Sequence, residues 1–321
     1  MESKKYDVII IGGASAGLTA ALYTGRQGLR TLVITKDIGG QALLTNDIQN
    51  YPGYEQIGGF ELMNKFQEQV TKYGVEFAYD EVTGVEKNEG PGFQLTTPFA
   101  SYSSEALILA FGKTPRDLNV PGEEQFKGRG VSYCAVCDGP LFKGTKVAVV
   151  GNGDQAIEAA NYLSGITEHV YIVQSSKKPF GDEEMIEALK RSGKVSFMNG
   201  TKVSSIEGDF SANSIKVMNG SSEEGTVEVS GIFVENGYIT KTGFVKELVD
   251  LNKQGEIIVD NHCRTSVDGI FAAGDVTDVP YKQAVISAGQ GATAALSAYN
   301  YIQKKRGKPP AKNDWKALKV S

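Results

Sequence analysis

The 321-residue chain reads as an α/β protein built from two dinucleotide-type βαβ domains. Three observations lead there. A strand, a glycine-rich turn, a helix and a second strand open the chain. The same order returns from residue 146. The length exceeds the roughly 100–200 residues of one compact domain.

In the first unit, residues 6–11 are rich in Val and Ile and predict a buried strand. Gly12-Gly13-Ala14-Ser15-Ala16-Gly17 follows, then an Ala-rich helix over 18–26 and a parallel strand over 31–34. Small residues in such a turn let the backbone approach a pyrophosphate, and the helix start offers free N–H groups and the positive end of its dipole. Ala14 stands where the G-x-G-x-x-G pattern has its middle glycine, so this motif alone leaves an ordinary tight turn open. The second unit has a strand over 146–150, the turn Gly151-Asn152-Gly153-Asp154-Gln155-Ala156, a helix over 156–163 and a strand over 170–173. Its turn matches G-x-G-x-x-A, and two such units in one chain make coincidence a poor explanation. Further on, a small-residue strand ends in Gly274-Asp275, where the carboxylate could meet ribityl or ribose hydroxyls or could cap the next helix.

Composition sets the outer limits. With 40% apolar and 22% charged residues the chain can build a normal core. A net charge of -5 with both signs well mixed argues against a nucleic acid or an anionic membrane as main partner. No apolar run reaches the ~18 residues of a membrane span. The start, Met1-Glu2-Ser3-Lys4-Lys5, runs directly into a strand and lacks the apolar stretch of a signal peptide, so a cytoplasmic location is expected. Three cysteines are too few for a secreted disulfide scaffold.

Two of them, Cys134 and Cys137, sit as Cys-x-x-Cys. In a reducing compartment that spacing means redox chemistry or half of a metal site, with an inert buried pair as the plain alternative. Two intervening residues permit an exchangeable disulfide, and a helix start would favour one thiolate. Asp138 is next in sequence and could carry a proton to or from a departing thiolate. A zinc site needs two further ligands, and Cys263, His169 and His262 form no second close pair, so no metal is expected.

With these residues in view, the chain resembles the low-molecular-weight thioredoxin reductase family. The resemblance lies in Gly39-Gly40-Gln41, Asn50-Tyr51-Pro52-Gly53, Pro121-Gly122-Glu123-Glu124, residues 129–139, residues 151–156, Thr265-Ser266-Val267, residues 272–276 and Tyr281-Lys282-Gln283-Ala284. It implies two Rossmann-like dinucleotide-binding domains, the second inserted into the first. Residues 1–116 and 246–321 would hold FAD, and residues 117–245 would carry the cysteines. Electrons would pass from a donor to FAD, to the cysteine pair and on to thioredoxin, in a homodimer whose domains rotate between steps. Cys137 would face the flavin, Cys134 would attack the thioredoxin disulfide, and Asp138 would be the acid–base residue. The resemblance assigns Gln41, Asn50, Gln283 and Ala284 to the flavin ring and Asp275 to its ribityl and phosphate part. Gly40, Gly112, Gly274 and Lys282 complete the cofactor-binding set. Thr35 and Lys36 end the strand where relatives place an acidic residue for the adenosine ribose.

The departures concern the donor. Relatives that use NADPH carry His-Arg-Arg-x-x-x-Arg after the second strand of the inserted domain, and those arginines grip the 2′-phosphate. Here the run is Val173-Gln174-Ser175-Ser176-Lys177-Lys178-Pro179-Phe180. Lys177 and Lys178 could act as point charges or stand in a solvated loop, and no acidic residue is present for an NADH ribose. Gly151, Gly153, Asp154 and Ala156 keep the phosphate turn. Near the hinge, Gly237-Tyr238-Ile239-Thr240-Lys241-Thr242 replaces Gly-x-x-Pro-Asn-Thr, and Glu235-Asn236 replaces a small and an apolar residue. A donor other than NADPH is therefore favoured, reduced ferredoxin or a flavin-type carrier. An NAD(P)H-dependent enzyme with a non-standard site is the alternative, and a redox-responsive flavoprotein without catalysis is the alternative of another class. Cys263 is expected in a strand with a structural role. Pro309-Pro310 is expected to stop the last helix, and Trp315 either covers the flavin ring or packs the tail.

Overall fold

The structure, a computed structural model, describes residues 4–44, 48–88, 90–220 and 223–310. Trp315 lies outside the described residues. In chain order the elements are β1 (Lys4–Ile11), α1 (Ser15–Arg26), β2 (Thr31–Thr35), α2 (Gly59–Thr71), β3 (Glu76–Tyr79), β4 (Gly84–Lys87), β5 (Phe93–Thr96), β6 (Ser101–Leu109), β7 (Thr114–Pro115), α3 (Glu123–Phe126), β8 (Val131–Ser132) and α4 (Ala135–Asp138). There follow β9 (Lys146–Gly151), α5 (Asp154–Ser164), β10 (His169–Gln174), α6 (Glu183–Arg191), β11 (Val195–Asn199), β12 (Lys202–Gly208), β13 (Ala212–Met218), β14 (Glu224–Glu228), β15 (Gly231–Glu235), β16 (Tyr238–Ile239), β17 (Ile270–Ala272) and α7 (Ala284–Lys305).

The chain divides into two compact units. One comprises Met1–Lys113 and Thr240–Ser321, and the other Thr114–Ile239. Against the expected limits of 117 and 245, the second unit begins and ends a few residues earlier. The cause is local. The two chain crossings are β7 and β16, which pair antiparallel as Tyr238 with Pro115 and Ile239 with Thr114, so entry and exit strands belong to one ribbon.

In the first unit β3, β2, β1 and β6 run parallel. The first half of β6 pairs antiparallel with β5, and its second half pairs parallel with β17. Strands with helices on a parallel sheet are apolar on both faces, and β1 shows how one strand serves two cores. Val8 and Ile10 face Leu18, Leu62, Met63 and Ile302. Ile9 and Ile11 face Leu107, Leu109, Val245 and Ile257. The second unit repeats the scheme with the order β11-β10-β9-β15-β8, all parallel. Val147 and Val149 pack on Ile157, Ala160 and Leu163 of α5. Ala148 and Val150 pack on Ile206, Ile215 and Val217 of the antiparallel β12-β13-β14 sheet.

Cys263 is not in a strand. It sits in a turn with φ of 58°, buried, its thiol pushed up to about 11 by burial. The side chain is inert at neutral pH for that reason. Helix α7 ends at Lys305, and Gly307, with φ of 67°, turns the chain before Pro309 is reached. No helix among the described residues is long and apolar enough to cross a membrane.

Candidate active site

The first glycine turn is a cradle that side chains cannot enter. A Cβ on Gly12 would stand 2.3 Å from Ala110 O, and one on Gly17 would stand 1.8 Å from Gly12 O. Helix α1 begins after Ala14 with no side-chain cap, which leaves its first N–H groups for an anion. Gly274 and Gly291 let other segments close on the same turn, since a Cβ on either would meet Ala16 within 2.9 Å. A backbone kept bare at this point fits the pyrophosphate of FAD.

The other cofactor residues named from sequence gather in the same unit, held pairwise. Ser15 Oγ donates to Ala284 O at 2.6 Å. Asn50 Nδ2 donates to Gln283 Oε1 at 2.9 Å, and Gln41 Nε2 to Lys113 O at 3.2 Å. Asp275 does not cap α7, whose N-cap is Gln283. Asp275 instead accepts from Ser287 Oγ at 3.1 Å. Gly112 and Gly40 have φ of 63° and 52°, and Gly112 has open space where a side chain would be. Thr35 is buried with its hydroxyl donating to Asp37 O at 2.6 Å, while Lys36 is exposed and paired with Glu81 at 2.7 Å.

One cluster in this unit escaped the sequence reading. Glu256, nearly buried, accepts from Lys113 at 2.8 Å, Lys282 at 3.1 Å and Asn252 at 2.7 Å. Burial works against the carboxylate, but these bonds outweigh it and hold Glu256 down to about 2. Two cations sharing one carboxylate leave about one positive charge beside Gln41 and Gln283. No local motif announces such a cluster, because its members lie up to 169 positions apart (282 minus 113).

In the second unit Cys134 and Cys137 form a disulfide, with Cα atoms 5.3 Å apart. Cys134 is the N-cap of α4, and its Sγ accepts the N–H of Cys137 at 3.0 Å. An N–H aimed at sulfur favours the thiolate at Cys134 once the pair is reduced. Ser132 fixes that cysteine from behind, its Oγ accepting from Cys134 N at 3.0 Å. Cys134 is half-buried, Cys137 exposed, and Asp138 follows with its N–H on Cys134 O at 3.2 Å. The preceding residue is anchored too. The Tyr133 hydroxyl lies 2.7 Å from Glu123 and 2.8 Å from Asp117, and the buried Glu123 also accepts the N–H groups of Leu118 and Asn119. Burial first, and the two carboxylates after it, push the Tyr133 phenol far up, so it stays a protonated donor.

The second glycine turn is as closed as the first at its opening glycine, where a Cβ on Gly151 would stand 2.0 Å from Glu235 O. It differs at its middle position, where a Cβ on Gly153 would meet only the edge of the Phe180 ring, from 3.2 Å. Asp154 opens α5, and its carboxylate accepts the N–H of Asp182 at 2.9 Å. Ala156 is buried in the core behind it. Lys177 and Lys178 are exposed. At the end of β10, Gln174 is buried, and neither its Oε1 nor Ser176 Oγ has a hydrogen-bond partner among the described residues. Nothing here supplies the planar, bidentate donors that grip a 2′-phosphate. Among the described residues no group of His, Cys, Asp and Glu is arranged to hold a metal.

Residues 6–291 match the family model described as pyridine nucleotide-disulphide oxidoreductase. A thioredoxin reductase from Lactococcus lactis is 38% identical, with a TM-score of 0.79, covering 93% of this chain and 99% of that one. A ferredoxin-flavin thioredoxin reductase from Clostridium acetobutylicum is 31% identical, with a TM-score of 0.54, covering 96% and 100%. A protein named NADH dehydrogenase from Bacillus subtilis is 40% identical over 303 residues, which are 94% of this chain and 59% of that protein. The chain thus spans about three-fifths of the length of the curated relatives it matches.

Proposed function

The chain belongs to the pyridine nucleotide-disulphide oxidoreductase family, and on that footing we propose that it is an FAD-dependent thioredoxin-disulfide reductase working through Cys134 and Cys137. The observation that carries this is the Cys134–Cys137 disulfide on a single helical turn, with an N–H directed at Cys134 sulfur.

FAD is the cofactor of the family, and when bound it supplies two electrons at a time for the Cys134–Cys137 disulfide. Gly12, Ala14, Ser15, Ala16 and Gly17 would take its pyrophosphate, with Thr35 and Lys36 on the adenosine side. Gly274 and Asp275 would meet the ribityl chain. Gly40, Gln41, Asn50, Gly112, Lys282, Gln283 and Ala284 would line the ring. The protein steps are thiol–disulfide exchange. The Cys134 thiolate attacks one sulfur of the partner disulfide, forming a mixed disulfide and expelling a partner thiolate. Cys137 then attacks Cys134 sulfur, which re-forms the internal disulfide and releases the second partner thiolate. Asp138 delivers the protons these thiolates take up. Cys134 is the better first nucleophile because the Cys137 N–H stabilises its anion. The partner is a thioredoxin or a thioredoxin-like protein, and the working form is a homodimer.

For the donor we favour reduced ferredoxin or a flavin-type carrier over NADPH. Exposed Lys177 and Lys178 replace the arginines, and they offer charge without a fork. A second reading, NADH, has one observation on its side. The unpartnered Gln174 Oε1 could accept a ribose hydroxyl. Anaerobic stopped-flow mixing of the flavin-loaded chain with NADPH, with NADH and with reduced ferredoxin separates these. Bleaching of the flavin band only by ferredoxin, followed by thiol formation on added thioredoxin, is expected. Rapid bleaching by NADPH would contradict the donor reading. Full reduction by dithionite without any thioredoxin thiols would contradict the function itself.

A further inference from the structure

The sequence sets Glu235-Asn236 where relatives carry a small and an apolar residue, and the structure gives that departure a place. Glu235 ends β15, with its Cα paired to that of Gly151. The approach is close enough that a Cβ on Gly151 would stand 2.0 Å from Glu235 O and 3.1 Å from Glu235 Cβ. In the order β11-β10-β9-β15-β8, the parallel strands wind from β9 through β10 to β11 on one side and resume with β15 on the other, so the winding switches between β9 and β15. Ligands of open parallel sheets bind outside the carboxyl ends of the strands at such a point. The glycine turn after β9 is on one side of it and Glu235 on the other.

The charges around this point are acidic. Asp154 opens α5 and Glu158 follows one turn later, adding its field to that of Glu235, and Tyr238 of β16 also faces the carboxyl. The Glu235 carboxyl has no hydrogen bond or ion pair among the described residues. An unpaired carboxyl at the ligand end of a sheet is costly to keep and calls for a role.

We propose that Glu235 is a specificity-determining residue of the second unit, whose carboxylate opposes the pyrophosphate that the Gly151–Ala156 turn would otherwise accept. The inference rests on the reading that NADPH is not the donor, and it names the residue responsible. It extends to every anionic dinucleotide, since it acts on the pyrophosphate and not on the 2′-phosphate. Burial, with Glu158 in support, raises the Glu235 pKa to about 7. The exclusion is therefore slight in mildly acidic solution, where the carboxyl is neutral, and full in mildly alkaline solution.

The test is calorimetric titration of the flavin-loaded chain with NADP⁺ and NAD⁺ at about pH 6 and about pH 8.5, either side of that titration. Wild type, Glu235→Gln and Glu235→Asp are compared, with flavin absorbance and the melting curve reporting folding. At the higher pH the Gln variant should bind both nucleotides at least ~10-fold more tightly than wild type, as one charge near a phosphate implies. The Asp variant should behave as wild type. Wild type should gain affinity on acidification, an arm that needs no variant to fold, while the Gln variant stays flat. Equal affinity of wild type and the Gln variant at the higher pH would overturn the proposal. Flavin bleaching of wild type by NADPH would instead contradict the donor reading and leave this ratio to stand or fall by itself.

Discussion

The two glycine turns are the same device in different surroundings. Both follow a buried parallel strand and open a helix, in the first unit at Gly12 to Gly17 and in the second at Gly151 to Ala156. Around the first, the opening turn of the helix holds no acidic side chain, and Ser15, Asn50, Asp275 and Ala284 are held by pairwise bonds in one place. Around the second, Asp154, Glu158 and Glu235 bring acidic groups, and the polar oxygens of Gln174 and Ser176 have no partner among the described residues. A backbone motif records the fold, whereas the charges beside it record what the fold accepts.

The strongest way to break this comparison is to fill each turn. Gly17→Ala sets a methyl 1.8 Å from Gly12 O, so the variant should lose flavin essentially completely, read as the ratio of flavin to protein absorbance. Gly153→Ala meets only a movable Phe180 edge and a φ of 80°. That strain should cost about 1–2 kcal/mol, a few degrees in Tm, with flavin content and thioredoxin reduction from dithionite intact. Equal flavin loss in both variants would end the distinction.

Next in size is the charge cluster of the first unit. Glu256→Gln should destabilise the chain by on the order of 2 kcal/mol at neutral pH, because it leaves Lys113 and Lys282 facing each other without their carboxylate. The sign follows from a carboxyl held down to about 2 in the folded chain against 4.5 ordinarily. Its contribution is complete above about pH 4.5 and fades as the pH falls toward 2. Acid unfolding of the Gln variant should be flatter across that window.

Glu235 predicts the opposite slope. Its carboxyl is raised to about 7, so the folded chain loses stability as the pH climbs from about 4.5 through 7. Glu235→Gln should remove that loss, matching wild type in acid and melting a few degrees higher at about pH 8.5. A melting curve unchanged at both values would mean that the carboxyl is solvated.

Much of this was legible beforehand. The βαβ units were readable because strand, turn and helix are set by neighbours in sequence, and the starts of β1, β2, β9 and β10 fall within two residues of expectation. The cysteine pair was readable for the same reason. Glu256 with Lys113 and Lys282, and Glu123 with Tyr133, were not, because burial and long-range pairing create them. Cys263 does not fall in the expected strand because Asp260 and Asn261 just before it are turn-forming residues, and the turn they start ends on Cys263 with positive φ. The unit limits shifted because the crossings β7 and β16 satisfy each other's backbone groups.

The proposed cycle depends on Cys134 as the thiol that attacks the partner. The direct measurement uses reduced, flavin-loaded Cys137→Ser mixed with a thioredoxin that lacks its second active-site cysteine and carries a thionitrobenzoate disulfide on the first. Release of one thionitrobenzoate per chain is expected, with a mixed disulfide that mass spectrometry maps to Cys134. No release from this variant, or release that persists when Cys134 is also changed to Ser, would contradict it.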